Sequence, residues 1–162
     1  MGDAYGVPTE TMTQKEIKEI FGEHGFIYLS SSIPLHILFD VRGEKNFLRT
    51  RIPQHTSDDT QQALLLILAL LSHPQWGEDG LKAYSQLLVD AMNAGVLRGY
   101  GKMFHSSLIK LSEGFPYTQS GSSSAGIGAA MRVGPLAGIQ TISESTLKEV
   151  VITSSLVTHA DV

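Results

Sequence analysis

Residues 57–71 read Ser57-Asp58-Asp59-Thr60-Gln61-Gln62-Ala63-Leu64-Leu65-Leu66-Ile67-Leu68-Ala69-Leu70-Leu71. From Gln61 onward these are good helix formers, and no Gly or Pro interrupts them before Pro74, so a long apolar helix is predicted. Its mouth carries two adjacent carboxylates between hydroxyls. Neighbouring carboxylates repel unless a cation or strong hydrogen-bond donors lie between them. One aspartate suffices to cap a helix and complement its dipole. The second, flanked by Ser57 and Thr60, is surplus to a cap. Together these oxygens are the hard ligands that suit Mg²⁺ or Mn²⁺. A capped helix end and a divalent-cation site both stand as readings of the motif.

The 162 residues fit one domain able to bury roughly 70% of its unfolded surface. Hydrophobic residues make up 42% and charged residues 17%, a globular composition that excludes a disordered tail. The net charge of −4 and the lack of any Lys/Arg cluster argue against a nucleic-acid-binding surface. With no Cys there is no disulfide framework, thiolate chemistry or zinc–thiolate site, which suits a reducing cytoplasm, the expected location. The start, Met1-Gly2-Asp3-Ala4-Tyr5-Gly6, lacks the basic and apolar regions of a secretory signal. The longest apolar run, residues 63–71, is about half of what a bilayer-spanning helix needs, so a soluble protein is expected.

Further helices follow from capping and periodicity. Thr13-Gln14-Lys15-Glu16 is a capping box, followed by Ile17, Ile20 and Phe21 on one face and by Gly22 as a stop. Residues 26–41 are apolar without helical period, and residues 42–55 read as a polar, basic loop. Asp79 is expected to cap a helix with Leu81, Tyr84, Leu87, Leu88, Ala91 and Met92 inward, ending at Gly95. Residues 102–113 form a shorter helix stopped by Gly114 and Pro116. Ser143 caps a final one with Leu147, Val150, Val151, Ser154 and Val157 inward. Helices dominate and no βαβ alternation or repeat is visible, so an all-α domain is the expected class.

Three other features carry chemistry. Ser120-Gly121-Ser122-Ser123-Ser124-Ala125-Gly126-Ile127-Gly128-Ala129-Ala130-Met131-Arg132 passes from a Ser/Gly tract into a close-packed helix that Pro135 ends. Such a loop aims N–H groups at an anion, although a flexible linker explains residues 120–124 equally well. Asp3 and Glu10 lie in a Gly-containing turn that otherwise reads as solvated surface. Thr158-His159-Ala160-Asp161 places a His and an acid near a helix end, where the ordinary reading is a cation at the dipole plus an exposed carboxylate. His24, His36, His55, His73 and His105 share no ligand spacing.

In this order, the Gly2–Glu10 turn, Ser57-Asp58-Asp59-Thr60-Gln61, the segment Gly126-Ile127-Gly128-Ala129-Ala130-Met131-Arg132-Val133-Gly134-Pro135-Leu136 and Thr158-His159-Ala160-Asp161 resemble the ADP-ribosylglycohydrolase family. The resemblance implies an orthogonal, all-α helical bundle around a binuclear Mg²⁺ or Mn²⁺ cleft. It also implies hydrolysis of the glycosidic bond joining ADP-ribose to a protein side chain or small acceptor. By motif, Ser57, Asp58 and Asp59 would be metal ligands, with Asp59 also near the chemistry. Ser124, Gly126 and Gly128 would lie along the diphosphate and ribose, and His159 would contact the ribose or support the metal cleft. Glu10 would face the scissile ribose as acid or base, while Asp3 would order the first loop. Ile127 stands where Asn is common, which removes one side-chain hydrogen bond.

The family's later Asp-x-Asp-Thr-type motif has no counterpart, since no Asp-x-Asp occurs in the sequence. Residues 1–162 are therefore expected to be one partial domain lacking its carboxy-terminal helices, with an incomplete ligand set. Activity of this chain alone is expected to be weak or absent, with a complementing chain or oligomer supplying the remainder. The alternative is a non-catalytic ADP-ribose-binding or interaction module of the same descent. The acceptor stays open among arginine, serine, acetyl-ribose and nucleotide-derived groups.

Overall fold

The computed structural model describes residues 13–23, 56–138 and 142–160. Glu10, Asp3, Asp161 and the segments 26–41 and 42–55 lie outside the described residues. The chain divides into two compact units, residues 1–57 and 58–162. Among the described residues all regular structure is helical, apart from one isolated bridge between Ser122 and His159.

In the first unit, α1 (Gln14–Phe21) forms as its sequence predicts. The Thr13 hydroxyl accepts from the Glu16 N–H at 3.3 Å, and the Glu16 carboxylate accepts from the Thr13 N–H at 2.6 Å. This reciprocal pair satisfies two of the four donors that a helix start leaves open. Gly22, at φ 83°, ends the helix in a backbone region that a side chain would oppose.

The second unit is built on α2 (Asp58–Ser72), α3 (Gly77–Asn93), α4 (Lys102–Ser112), the single turn α5 (Tyr117–Ser120), α6 (Gly128–Val133) and α7 (Glu144–Leu156). A 3₁₀ turn, Gly134–Gly138, carries the chain through Pro135 after α6. Helix α2 packs on α3 and α6, and α3 packs in turn on α4 and α7. Leu66, Leu70, Leu88, Leu108, Leu136 and Val150 are all buried in the shared core. Burying a Leu or Val side chain stabilises by about 1.5–3 kcal/mol each, which is what holds these crossings.

The start of α3 differs from its sequence expectation. The helix begins at Gly77, so Asp79 lies inside its first turn and is not its cap. Trp76 precedes it at φ 55° and makes no side-chain cap. What fixes this entry is the indole, which is buried and donates from Nε1 to Thr153 Oγ1 at 2.9 Å. Gly80 lies under that ring, where an added Cβ would meet Trp76 Cε3 at 2.6 Å. Packing of one aromatic thus overrides capping by one carboxylate. The start of α7 follows the sequence: Ser143 Oγ accepts from Thr146 N at 3.1 Å.

Two polar clasps then fix the loops around α2. Gln61 donates to Val96 O at 2.6 Å and accepts from Arg98 N at 2.9 Å, holding the α3–α4 connection to the helix mouth. In the second clasp, Ser122 N donates to Thr158 O at 3.2 Å and Ala160 N donates to Ser122 O at 3.1 Å. Ser120 Oγ adds a bond to Val157 O at 2.7 Å. Gly121 permits this approach, because a Cβ there would stand 2.7 Å from Leu156 O. The Ser/Gly tract is accordingly a stitched element, and residues 157–160 are drawn back beside it.

Candidate functional site

Asp58 and Asp59 are the first two residues of α2, where their charges complement the helix dipole. Asp58 faces one turn along its own helix, where Gln62 Nε2 donates to its Oδ2 at 3.0 Å. Both aspartates are half-buried, and Ser57 is buried.

Gln62 is the first link of a seam that crosses the unit. Its Oε1 accepts from Arg132 Nη1 at 3.0 Å. Arg132 Nη2 donates to Ser154 O at 2.8 Å and to Thr158 Oγ1 at 2.8 Å. Thr158 Oγ1 lies 2.8 Å from His159 Nδ1. Three side chains, Gln62, Arg132 and Thr158, therefore join the carboxylate of Asp58 to the imidazole of His159. Gln62, Arg132 and Thr158 are all at 0% exposure. Arg132 also stands over the Tyr84 ring, its Cζ 5.6 Å from the centroid, a cation–π distance.

The seam departs from ordinary practice for buried charge. A guanidinium away from water is usually paired with a carboxylate. The hydrogen bonds of Arg132 among the described residues all go to neutral oxygens. Its Nε and the Tyr84 hydroxyl find no partner there. The charge is felt by its neighbours. Burial, and then the Arg132 charge, lower the His159 pKa from its usual 6.5. Burial raises the Tyr84 phenol above its usual 10, with Arg132 opposing. His159 is therefore a buried ring whose surroundings disfavour the charged form, not the exposed cation at a helix end that its position in the sequence suggests.

The Gly segment borders the same histidine. A Cβ on Gly128 would meet His159 Cε1 at 3.1 Å and Nε2 at 3.4 Å, so the missing side chain is what lets the ring lie against α6. Ser124 turns on itself, its Oγ accepting from Gly126 N at 3.1 Å. Ser124 and Gly128 are half-buried and Gly126 is exposed. Ile127, at the head of α6, is 74% exposed.

Among the predicted site residues, Asp58, Gly128 and His159 are brought into one connected arrangement, while Ser124 and Gly126 adjoin it in sequence. Glu10 lies outside the described residues. Sequence reading assigned no role to Gln62 and none to Arg132. The signal for Gln62 was present, because it sits one turn from both Asp58 and Leu66, a polar residue on the face that buries Leu66, Ala69 and Leu70. Arg132 carried no such signal, since its helix is six residues long.

The oxygens of Ser57, Asp58, Asp59 and Thr60 match the chemistry of Mg²⁺ or Mn²⁺. Among the described residues, no group of three or more His, Asp or Glu is arranged to hold a metal ion. Asp58 and Asp59, at the head of α2, match the implied ion in kind. No described helix is long and apolar enough to cross a membrane.

The second unit is all-α, with an acidic helix mouth joined to a buried histidine beside a Gly-rich turn. The ADP-ribosylglycohydrolase model matches residues 1–162, and the chain belongs to that family. At family level this membership carries ADP-ribosyl hydrolase-type activity. No curated protein and no solved structure matches the chain.

Proposed function

We propose that this chain binds ADP-ribose and takes part in metal-dependent hydrolysis of the bond between ADP-ribose and a protein side chain or small acceptor. The observation that carries the reading is the seam from Asp58 through Gln62, Arg132 and Thr158 to His159, with Gly128 against the imidazole. It ties the acidic motif, the Gly segment and the His motif into one arrangement. A structural cap on α2 would need none of these connections.

Cleavage at the anomeric carbon develops oxocarbenium character, which nearby carboxylates stabilise. Asp58 and Asp59 supply that negative field. A divalent ion held by Ser57, Asp58 and Asp59 would orient ribose hydroxyls and favour ionisation of a water. Ser124, Gly126 and Gly128 offer close backbone approach to the diphosphate and ribose. A neutral His159 offers one ring N–H to a ribose hydroxyl. Glu10 is the candidate acid or base.

Calorimetry with ADP-ribose in the presence of Mg²⁺ or Mn²⁺ tests the binding half. A binding heat that Asp58→Ala removes is expected, and its absence in the unsubstituted protein sinks the reading. Hydrolysis of ADP-ribosyl-arginine tests the other half. Weak turnover lost in Asp58→Ala supports a hydrolase that a complementing chain or further carboxylates would complete. Binding without any Asp58-dependent turnover favours the second reading, an ADP-ribose-binding module.

A further inference from the structure

The donor and acceptor inventory of the seam contains an asymmetry. A guanidinium can only donate. Gln62 must therefore present its carbonyl to Arg132, which leaves its NH₂ for the Asp58 carboxylate, as the 3.0 Å contacts on both sides show. The same logic runs the other way. Thr158 Oγ1 must accept from Arg132, and its single hydrogen is then available to His159 Nδ1 at 2.8 Å. A ring nitrogen that accepts carries no proton, so the proton of the neutral imidazole resides on Nε2. That is the nitrogen near Gly128, where a Cβ would stand 3.4 Å from it.

We propose that Arg132 is a positioning residue that sets the polarity of both arms, directing an amide N–H at Asp58 and fixing the Nε2–H tautomer of His159. Three features support a directional role over a generic packing one. Arg132 is wholly buried, so none of its bonds is shared with solvent. Its acceptors are neutral, so it is not there to cancel a charge. It occupies the middle of the seam, with one arm leaving from Nη1 and the other from Nη2. A Lys at this position has a single nitrogen and cannot reach both arms in fork geometry.

The inference rests on the functional reading only for its consequence in ligand binding, so its test has two separate readouts. Long-range ¹H–¹⁵N spectra of the ¹⁵N-labelled full chain report the tautomer of each imidazole, with His159 identified by its loss in His159→Gln. The unsubstituted protein is expected to show His159 as Nε2–H. Arg132→Lys and Thr158→Val are expected to give a tautomer mixture, and Thr158→Ser to restore the single form. An Nδ1–H signal in the unsubstituted protein, or an unchanged Nε2–H form in both Arg132→Lys and Thr158→Val, overturns the proposal. If Arg132→Lys does not fold, Thr158→Val judges this arm alone, and an unchanged Nε2–H form there overturns it.

For the Asp58 arm, Gln62→Glu keeps an acceptor for Arg132 and removes the donor to Asp58. ADP-ribose affinity in the presence of Mn²⁺ is expected to fall by about tenfold or more, the usual penalty for losing a group that orients a ligand. Unchanged affinity overturns that arm. If the unsubstituted chain binds no ADP-ribose, the functional reading falls while the tautomer experiment still judges the positioning role.

Discussion

Gln62 and Leu66 lie one turn apart on α2, and both are at 0% exposure. Leu66 enters a core of Leu70, Tyr84, Leu88 and Leu108, where the stabilising force is non-directional and scales with area removed from water. Gln62 enters a seam in which its carbonyl and its NH₂ each have an assigned partner. The two regions are equally dry but are specified differently. Apolar packing tolerates exchange of shape-matched residues, whereas a buried polar network fails when one donor or acceptor is removed. The core makes the fold stable, and the seam makes one arrangement of Asp58 and His159 unique.

The largest test of this contrast is Leu66→Ala, expected to cost about 2–5 kcal/mol in denaturant unfolding from lost transfer energy and a cavity. Its ADP-ribose affinity should change little while the protein stays folded. Thr158→Val is the converse, because it keeps the side chain's shape and removes only the hydroxyl. It is expected to cost about 1–3 kcal/mol, the penalty for leaving a buried polar group without its partner. Leu66→Met, a shape-tolerant exchange in the core, is expected to cost less than about 1.5 kcal/mol. If Thr158→Val proved milder than Leu66→Met in the same unfolding assay, the distinction between the two regions would fail.

A smaller effect separates them by pH. His159 has a folded pKa below its usual 6.5 because burial and Arg132 oppose its charge. As pH falls through 6.5 the unfolded chain takes up a proton before the folded one does. The histidine's contribution is therefore present above that value and lost as pH falls toward the lower folded pKa. Melting curves at pH 7.5 and 5.5 should show a larger acid destabilisation for the unsubstituted protein than for His159→Gln. An equal loss in both would place the acid sensitivity elsewhere. The smallest change is expected at Leu68, which is 51% exposed on the same helix as Leu66. Leu68→Ala should shift stability by no more than about 0.5 kcal/mol, measured by the same unfolding curves.

Much of the helical frame was legible in the sequence because its signals are local. The Thr13 capping box, the Ser143 cap and the uninterrupted run after Thr60 each act within a few residues of themselves. Asp79 was misread as a cap because the deciding contact, the Trp76 indole on Thr153 with Gly80 beneath it, joins residues far apart in sequence. The His motif was legible as a motif, but its ordinary reading as an exposed cation failed. Ring burial depends on Gly128, on Thr158 and on the return of residues 157–160 beside Ser122.

By itself, the sequence determined the helical class, the family and the identity of the carboxylates at the head of α2. Tertiary structure decided which face of α2 turns inward. Every residue from Ala63 to Leu71 is apolar, so periodicity could not separate buried Leu66 and Leu70 from exposed Leu64, Leu68 and Leu71. It also decided that Gln62, on that inward face, would meet Arg132 from a helix 70 residues away. Capping and propensity are written in neighbouring residues, while a hydrogen-bonded seam exists only once distant helices have packed.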